Sequence, residues 1–256
     1  WITGASSGIG EELVYAFVSN GSRVIASLND SSGLERVVMN CNGMNGSIVP
    51  MPFDLSDTGN IEQTVKKVFE NEERVDILLN IGGVSQRALI KETPLWLDRK
   101  IMEINYFGTI TLTKGVLPHM IAAGGGIIAA TSSITGRFGF PLRSAYSASK
   151  QAIHGFFETL YIENRRDNIR VSVIIPGRVR TNISLHALTA SGAEHGKMDE
   201  GQAGGITTKK AAAQIIRGLE KNKREILVGS GEVVMLHLRR YLPALFFKLA
   251  ERIKPM

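Results

Sequence analysis

Thr3-Gly4-Ala5-Ser6-Ser7-Gly8-Ile9-Gly10 follows a short apolar run, Trp1-Ile2, and leads directly into Glu11-Glu12-Leu13-Val14-Tyr15-Ala16-Phe17. The flanks decide how the glycines are read. Before them stands the stub of a strand. After them Leu13, Ala16 and Phe17 recur at helical spacing. A strand that turns into a helix through glycines brings backbone N–H groups close to a ligand. The helix start adds partial positive charge, suited to a pyrophosphate. The same glycines could serve plain strand–helix packing, but their place between a strand and an amphipathic helix favours the ligand.

Outward from this turn, β-branched runs alternate with longer helical patterns. Strands are expected at Val24–Leu28, Ile48–Asp54, Ile77–Asn80, Ile127–Ser132, Val171–Ile175 and Ile226–Val228. Helices are expected near 9–20, 33–41, 58–73, 95–122, 145–166 and 207–221, the third carrying the stripe Val65, Val68, Phe69. Alternation of this kind implies one α/β domain over residues 1–256, a doubly wound parallel sheet of about seven strands wrapped by helices. Trp1 in place of Met implies that the start of the first strand lies upstream. The stretch 184–206 is rich in Gly, Ala, Ser and Thr without a clear period and reads as a mobile lid.

Composition narrows the class. The chain has 256 residues, 43% hydrophobic and 21% charged, which excludes disorder and fibres. One cysteine, Cys41, excludes a disulfide framework and fits a reducing, cytoplasmic compartment. The net charge is +6, yet residues 207–256 carry eleven Lys/Arg against four Asp/Glu, so the whole excess sits in the last fifth. That argues against nucleic acid as a partner of the whole fold. It turns attention to 231–256, where Leu238, Leu242, Leu245, Leu249 and Ile253 follow helical spacing among Arg239, Arg240, Lys248, Arg252 and Lys254, with Pro243 marking a start or kink. Such a basic amphipathic segment either docks on its own protein or a second subunit, or lies on an anionic membrane surface.

The glycine spacing is not G-x-G-x-x-G. It resembles the T-G-x-x-x-G-x-G of the short-chain dehydrogenase/reductase family, a Rossmann-type fold, and that family implies further residues at set distances. Tyr146-Ser147-Ala148-Ser149-Lys150 supplies Tyr-x-x-x-Lys, which a helix places on one face. A phenol with a pKa near ~10 needs cationic neighbours to act as a base at neutral pH, and Lys150 is the expected one. Ser133, thirteen residues upstream at a strand end, matches the family's serine, which polarises a substrate oxygen; Ser132 is the bland alternative. Asn105 matches the family's fourth catalytic residue, at a helix irregularity, where it positions a water between the lysine and solvent. His154 has no catalytic role in the family and is expected to be a packing or surface residue.

The resemblance also implies a cofactor site. Gly4, Ser6, Ser7, Gly8, Ile9 and Gly10 would hold the pyrophosphate, and Asn29, Asp54 and Leu55 the adenosine. Asn80 and Gly82, from Asn80-Ile81-Gly82-Gly83 in the slot of Asn-Asn-Ala-Gly, would stand beside it. Pro176, Gly177 and Thr181 would meet the nicotinamide, together with Tyr146 and Lys150. Leu28 and Asn29 stand where a carboxylate would select NAD or an arginine NADP; NADP is expected, with NAD as the alternative, although Asp30 next door does not help. No metal is expected.

Leu97-Asp98-Arg99-Lys100 leading into the stretch 105–114, Phe140-Pro141-Leu142-Arg143-Ser144-Ala145-Tyr146 and Thr181-Asn182-Ile183-Ser184 are similar to the member 7 branch of dehydrogenase/reductases and its bacterial relatives, the 7B-like type in particular. That branch implies a carbonyl reductase or alcohol dehydrogenase acting on a lipophilic, steroid-, retinoid- or lipid-like substrate, as a homodimer or homotetramer built on the helices near 95–122 and 145–166. A dinucleotide-binding scaffold or redox sensor and a membrane-peripheral structural protein are the other readings.

Overall fold

The computed structural model describes residues 1–252. Ile253 and Lys254 of the expected apolar and basic pattern therefore lie outside the described residues. In chain order the elements are β1 (Ile2–Thr3), α1 (Gly8–Ser19), β2 (Arg23–Ser27), α2 (Ser31–Asn40), β3 (Ser47–Pro50), α3 (Thr58–Asn71), β4 (Ile77–Asn80), α4 (Leu95–Met102), α5 (Gly108–Ala122), β5 (Gly126–Thr131), α6 (Ser144–Glu163), β6 (Ile169–Pro176), α7 (Glu200–Ala203), α8 (Thr208–Glu220), β7 (Glu225–Val228), α9 (Val234–Tyr241) and α10 (Pro243–Ala250). All seven strands are parallel, in the order β3-β2-β1-β4-β5-β6-β7. Sequence order reverses between β1 and β4, and ligands bind beyond the strand ends at such a switch point.

The sheet separates two apolar layers. Leu13, Val14 and Val18 of α1 pack with Ala211, Ile215 and Leu219 of α8 on one face. Ile61, Val65 and Val68 of α3, Leu112 and Val116 of α5, and Ile153 and Phe157 of α6 fill the other. Burial on both faces explains why the strands read as continuous apolar runs. The expected strand over 48–54 is assigned only to Pro50, although Met51 N and Phe53 N still donate to the Ala26 and Leu28 carbonyls; Pro50 and Pro52 are tolerated because β3 is an edge strand and their nitrogens alternate to its outer side.

Two helical expectations are refined. The pattern over 95–122 is continuous but contains a π-turn at Glu103–Phe107, an irregularity around Asn105. The C-terminal pattern is two helices, broken at Leu242, where φ is −133° before Pro243. Nor is the leucine stripe the docked face. Phe246 is buried against Phe138, while Leu242, Leu245 and Leu249 are exposed. No helix among the described residues is long and apolar enough to cross a membrane.

Candidate active site

The switch point opens into a cleft of about 1270 Å³ that extends from the glycine turn past β5 to α10. Single small-molecule pockets are usually ~300–1,000 Å³, so this one has room for two ligands end to end.

At one end lies the start of α1. Ser7 occupies the N-cap position but makes no side-chain cap bond, which leaves the first N–H groups of the helix facing the cleft. Gly10 allows the helix to sit against the strand end, since a Cβ there would stand 2.1 Å from the Gly4 carbonyl oxygen. Gly8 has a φ of +58°, and a Cβ on it would reach 3.0 Å from Thr181 Cγ2 across the cleft. A side chain would therefore narrow the channel between the helix start and the segment after β6. These features fit a dinucleotide whose pyrophosphate lies on the α1 turn.

Gly4, Ser6, Ser7, Gly8, Ile9, Gly10, Asn29, Asp54, Leu55, Gly82, Tyr146, Pro176, Gly177 and Thr181 all line this cleft. Asn80 does not. It is buried beneath the floor, its amide donating to Thr113 Oγ1 at 3.1 Å and the Ala129 carbonyl at 3.4 Å. It ties β4 to β5 and α5. Its carbonyl oxygen has no partner. Asp54 lines the rim with one carboxylate oxygen accepting from Ser56 N and Oγ. Asp30 lines the same rim, its carboxylate capping α2 by accepting from Ser32 N and Gly33 N. The basic group at this end is one that the sequence reading missed. Arg36 on α2 lines the cleft, donating to the Ser6 carbonyl at 2.6 Å and pairing with Glu11 at 2.5 Å.

At the other end Ser133 and Tyr146 meet. The two serines after β5 divide the work. Ser132 Oγ is buried and consumed, donating to the Lys150 carbonyl and contacting His154 Nε2, both at 2.8 Å. It fastens β5 to α6. His154 packs there as expected, and burial with Arg137 nearby holds its pKa at about 3. Ser133 Oγ accepts from Thr135 N and Thr135 Oγ1 and faces the Tyr146 phenol.

Burial pushes the Tyr146 phenol up. The Ser133 hydroxyl, Arg143 and Arg87 draw it down. The expected agent, Lys150, is not among them. Its ammonium lies 5.9 Å from the Tyr146 ring centre and donates to the Thr131 carbonyl at 2.8 Å. Burial lowers its pKa to about 8. Helical spacing puts both residues on one face, but the strand-end carbonyl captures the flexible lysine. Asn105, fully buried, spends its amide on the protein: it accepts from Val84 N at 2.8 Å and donates to Val84 O at 2.9 Å and Ser149 Oγ at 3.0 Å. Its side chain thus pins the β4 loop to α6, where Gly83 lies beside both residues: a Cβ on it would stand 2.8 Å from Asn105 Oδ1 and 3.2 Å from Lys150 Nζ.

Residues 184–206 cover this end. They are tied down by the bond from Leu188 N to Ser85 O and from Arg87 N to Leu188 O, at 2.9 and 2.8 Å. Gln86, fully buried, accepts from Ala145 N at 2.9 Å and so holds the first turn of α6. Neither Gln86, Arg87, Arg143 nor Asp199 was singled out from the sequence. Only Arg143 carried a signal, as part of the branch-specific stretch before Tyr146.

Residues 1–190 match the family model described as short chain dehydrogenase. A dehydrogenase/reductase SDR family protein 7-like from Drosophila melanogaster is 40% identical over 251 residues, covering 96% of this chain and 77% of that protein. A dehydrogenase/reductase SDR family member 7B from Xenopus laevis is 37% identical, covering 97% of this chain and 79% of its own. Among solved structures, a short chain dehydrogenase/reductase from Burkholderia phymatum in complex with NAD superposes with a TM-score of 0.84 at 20% identity, covering 95% of this chain and 93% of its own.

Proposed function

The chain belongs to the short-chain dehydrogenase/reductase family, and from that premise we propose that it interconverts a ketone and a secondary alcohol of lipophilic character with NADP, or alternatively NAD. One observation carries the reading. A single cleft holds an open helix start at one end and a buried phenol facing a hydroxyl at the other. The dinucleotide, when bound, supplies or accepts the hydride. Tyr146 gives its proton to the carbonyl oxygen in reduction and takes it back in oxidation. Ser133 donates to the same oxygen and stabilises its developing charge. Lys150, held at Thr131, steadies the ribose end, and Asn105 fixes the β4 loop against which it lies.

The finer assignments rest on named surroundings. Arg36 supports NADP, because a guanidinium attracts a 2′-phosphate, against the Asp30 carboxylate on the same rim. Phe138, Phe140, Leu188, Met235 and Phe246 line the wall beyond Tyr146 and support an apolar substrate. The outer faces of α9 and α10 expose Tyr241, Leu242, Leu245 and Phe247 beside Arg240, Lys248 and Arg252. Their inner face reaches the cleft through Phe246 and Ala250. A cytoplasmic enzyme in peripheral contact with an anionic bilayer could take substrate directly from it. Exposed Leu95, Phe107 and Ile162 on or beside α4, α5 and α6 support a homodimer or homotetramer through those helices.

Fluorescence titration with NADPH and NADH, followed by a ketone and alcohol panel, tests the core reading. Submicromolar to micromolar NADPH binding with turnover of apolar ketones is expected. Tight binding with no turnover across the panel would leave a dinucleotide-bound scaffold instead. Co-sedimentation with anionic but not neutral vesicles checks the membrane contact, and light scattering the oligomer.

A further inference from the structure

Three charged side chains from three separate parts of the chain converge beside Tyr146. Asp199, from the segment over the cleft, is 8% exposed. Arg87, from the loop after β4, meets it twice, Nη2 to Oδ2 at 2.5 Å and Nε to Oδ1 at 3.3 Å. Arg143, immediately before α6, reaches the same Oδ2 at 2.7 Å. The rest of each guanidinium is held: Arg87 Nη1 donates to Ser85 Oγ and the Gln86 carbonyl, and Arg143 Nη1 to the Pro141 carbonyl, with its plane over Phe140 at 4.7 Å.

One arginine would suffice to fasten the segment. The second adds a buried like charge, which is costly, and a buried ion pair is in any case weak evidence for stability. Burial and the repulsion of Arg87 bring Arg143 down to about 10, against the attraction of Asp199. Two cations on one anion leave the wall of the cleft net positive, three residues before the phenol.

We infer that Arg87, Asp199 and Arg143 form a positioning cluster for Tyr146, strapping residues 184–206 across the start of α6 and presenting a net positive charge to the phenol. This rests on the reading of Tyr146 as the acid–base group. Both arginines act on Tyr146 in the direction of the phenolate, whereas Lys150 is turned to Thr131. The other charged groups around this end are His195, which acts on Asp199, His186 and Glu194 from the same segment, Lys100 from α4, Arg178 from after β6 and Glu232 from before α9.

The test is an ultraviolet titration of tyrosinate, with the Tyr146 signal taken as the difference between each variant and its Tyr146→Phe counterpart; it needs no substrate. Arg143→Met should move that titration up by about one pH unit, and Arg143→Lys should leave it near wild type. Asp199→Asn, which removes the negative charge, should move it down. Opposite signs for Arg143→Met and Asp199→Asn cannot come from loosened packing alone. If Asp199→Asn does not fold, the Met and Lys variants at 143 decide. An unmoved Tyr146 titration in Arg143→Met, or equal shifts in the Met and Lys variants, overturns the cluster's electrostatic role. Wild-type turnover in Tyr146→Phe would instead overturn the acid–base reading and leave the titration result standing.

Discussion

The two ends of the cleft are built by opposite means. The floor, where the dinucleotide would lie, is made from short contiguous turns at strand ends: 4–10 after β1 and 81–83 after β4, with 176–181 after β6. The roof is assembled from residues far apart in the chain. Arg87 and Asp199 are 112 positions apart, Arg143 and Asp199 56, and Phe246 of α10 packs on Phe138. A floor of backbone and glycine recognises what all nicotinamide dinucleotides share. A roof of side chains on independently placed segments can vary without disturbing the sheet, which is where substrate choice and proton-transfer tuning are free to differ.

Substitutions at the two ends should therefore fail differently. The largest effect belongs at the junction. Tyr146→Phe should lower turnover by at least about a hundredfold, the scale of general acid–base catalysis, while the NADPH dissociation constant holds. Loss of binding together with turnover would show that floor and roof are not separable.

Lys150 sharpens the contrast through stability. Its folded pKa of about 8 lies below the ordinary lysine value of 10.5. Below pH 8 both folded and unfolded forms carry the charge, and the cost of burying it is fully present. Between about 8 and 10.5 the unfolded form binds more protons, so stability rises with pH until the cost is gone. Lys150→Met should thus be more stable than wild type at pH 7, by up to about 3 kcal/mol, with the gap closing toward pH 10.5. Thermal melts across that range measure it; a gap that is constant with pH would contradict it.

On the roof, Phe246→Ala should raise KM for an apolar substrate by about tenfold, the worth of much of one buried aromatic, with kcat nearly unchanged. A fall in NADPH affinity instead would mean that α10 supports the floor. The smallest change is on the floor itself. Arg36 is half exposed and shared with Glu11, so Arg36→Gln should weaken NADPH by only about fivefold and leave NADH alone. Equal loss of both cofactors would mean that it merely braces the glycine turn through the Ser6 carbonyl.

Legibility follows the same division. Tyr146 and Lys150 could be paired from a four-residue spacing, and Ser133 from its place at a strand end, because helix and strand geometry turn sequence distance into direction. Spacing could not say where a flexible ammonium would settle, and Lys150 went to the Thr131 carbonyl. Asn80 belonged to a recognisable turn, yet its side chain points beneath the floor, a choice made by Thr113 and β5. The C-terminal pattern revealed helix but not its docked face, since Leu242, Leu245 and Leu249 at helical spacing stay exposed while Phe246, off that stripe, is buried.

What the amino-acid sequence determined alone was the alternation of strands and helices, the glycine turn and the order of the four expected catalytic residues, all of them local periodicities or fixed offsets. What the tertiary structure decided was which charges share a buried space. Arg87 and Asp199 carry no signal in the sequence, and Arg143 only that of the stretch before Tyr146, until three segments close over one another. Only then does removal from water make the carboxylate indispensable to both guanidiniums and give their surplus charge a phenol to act upon.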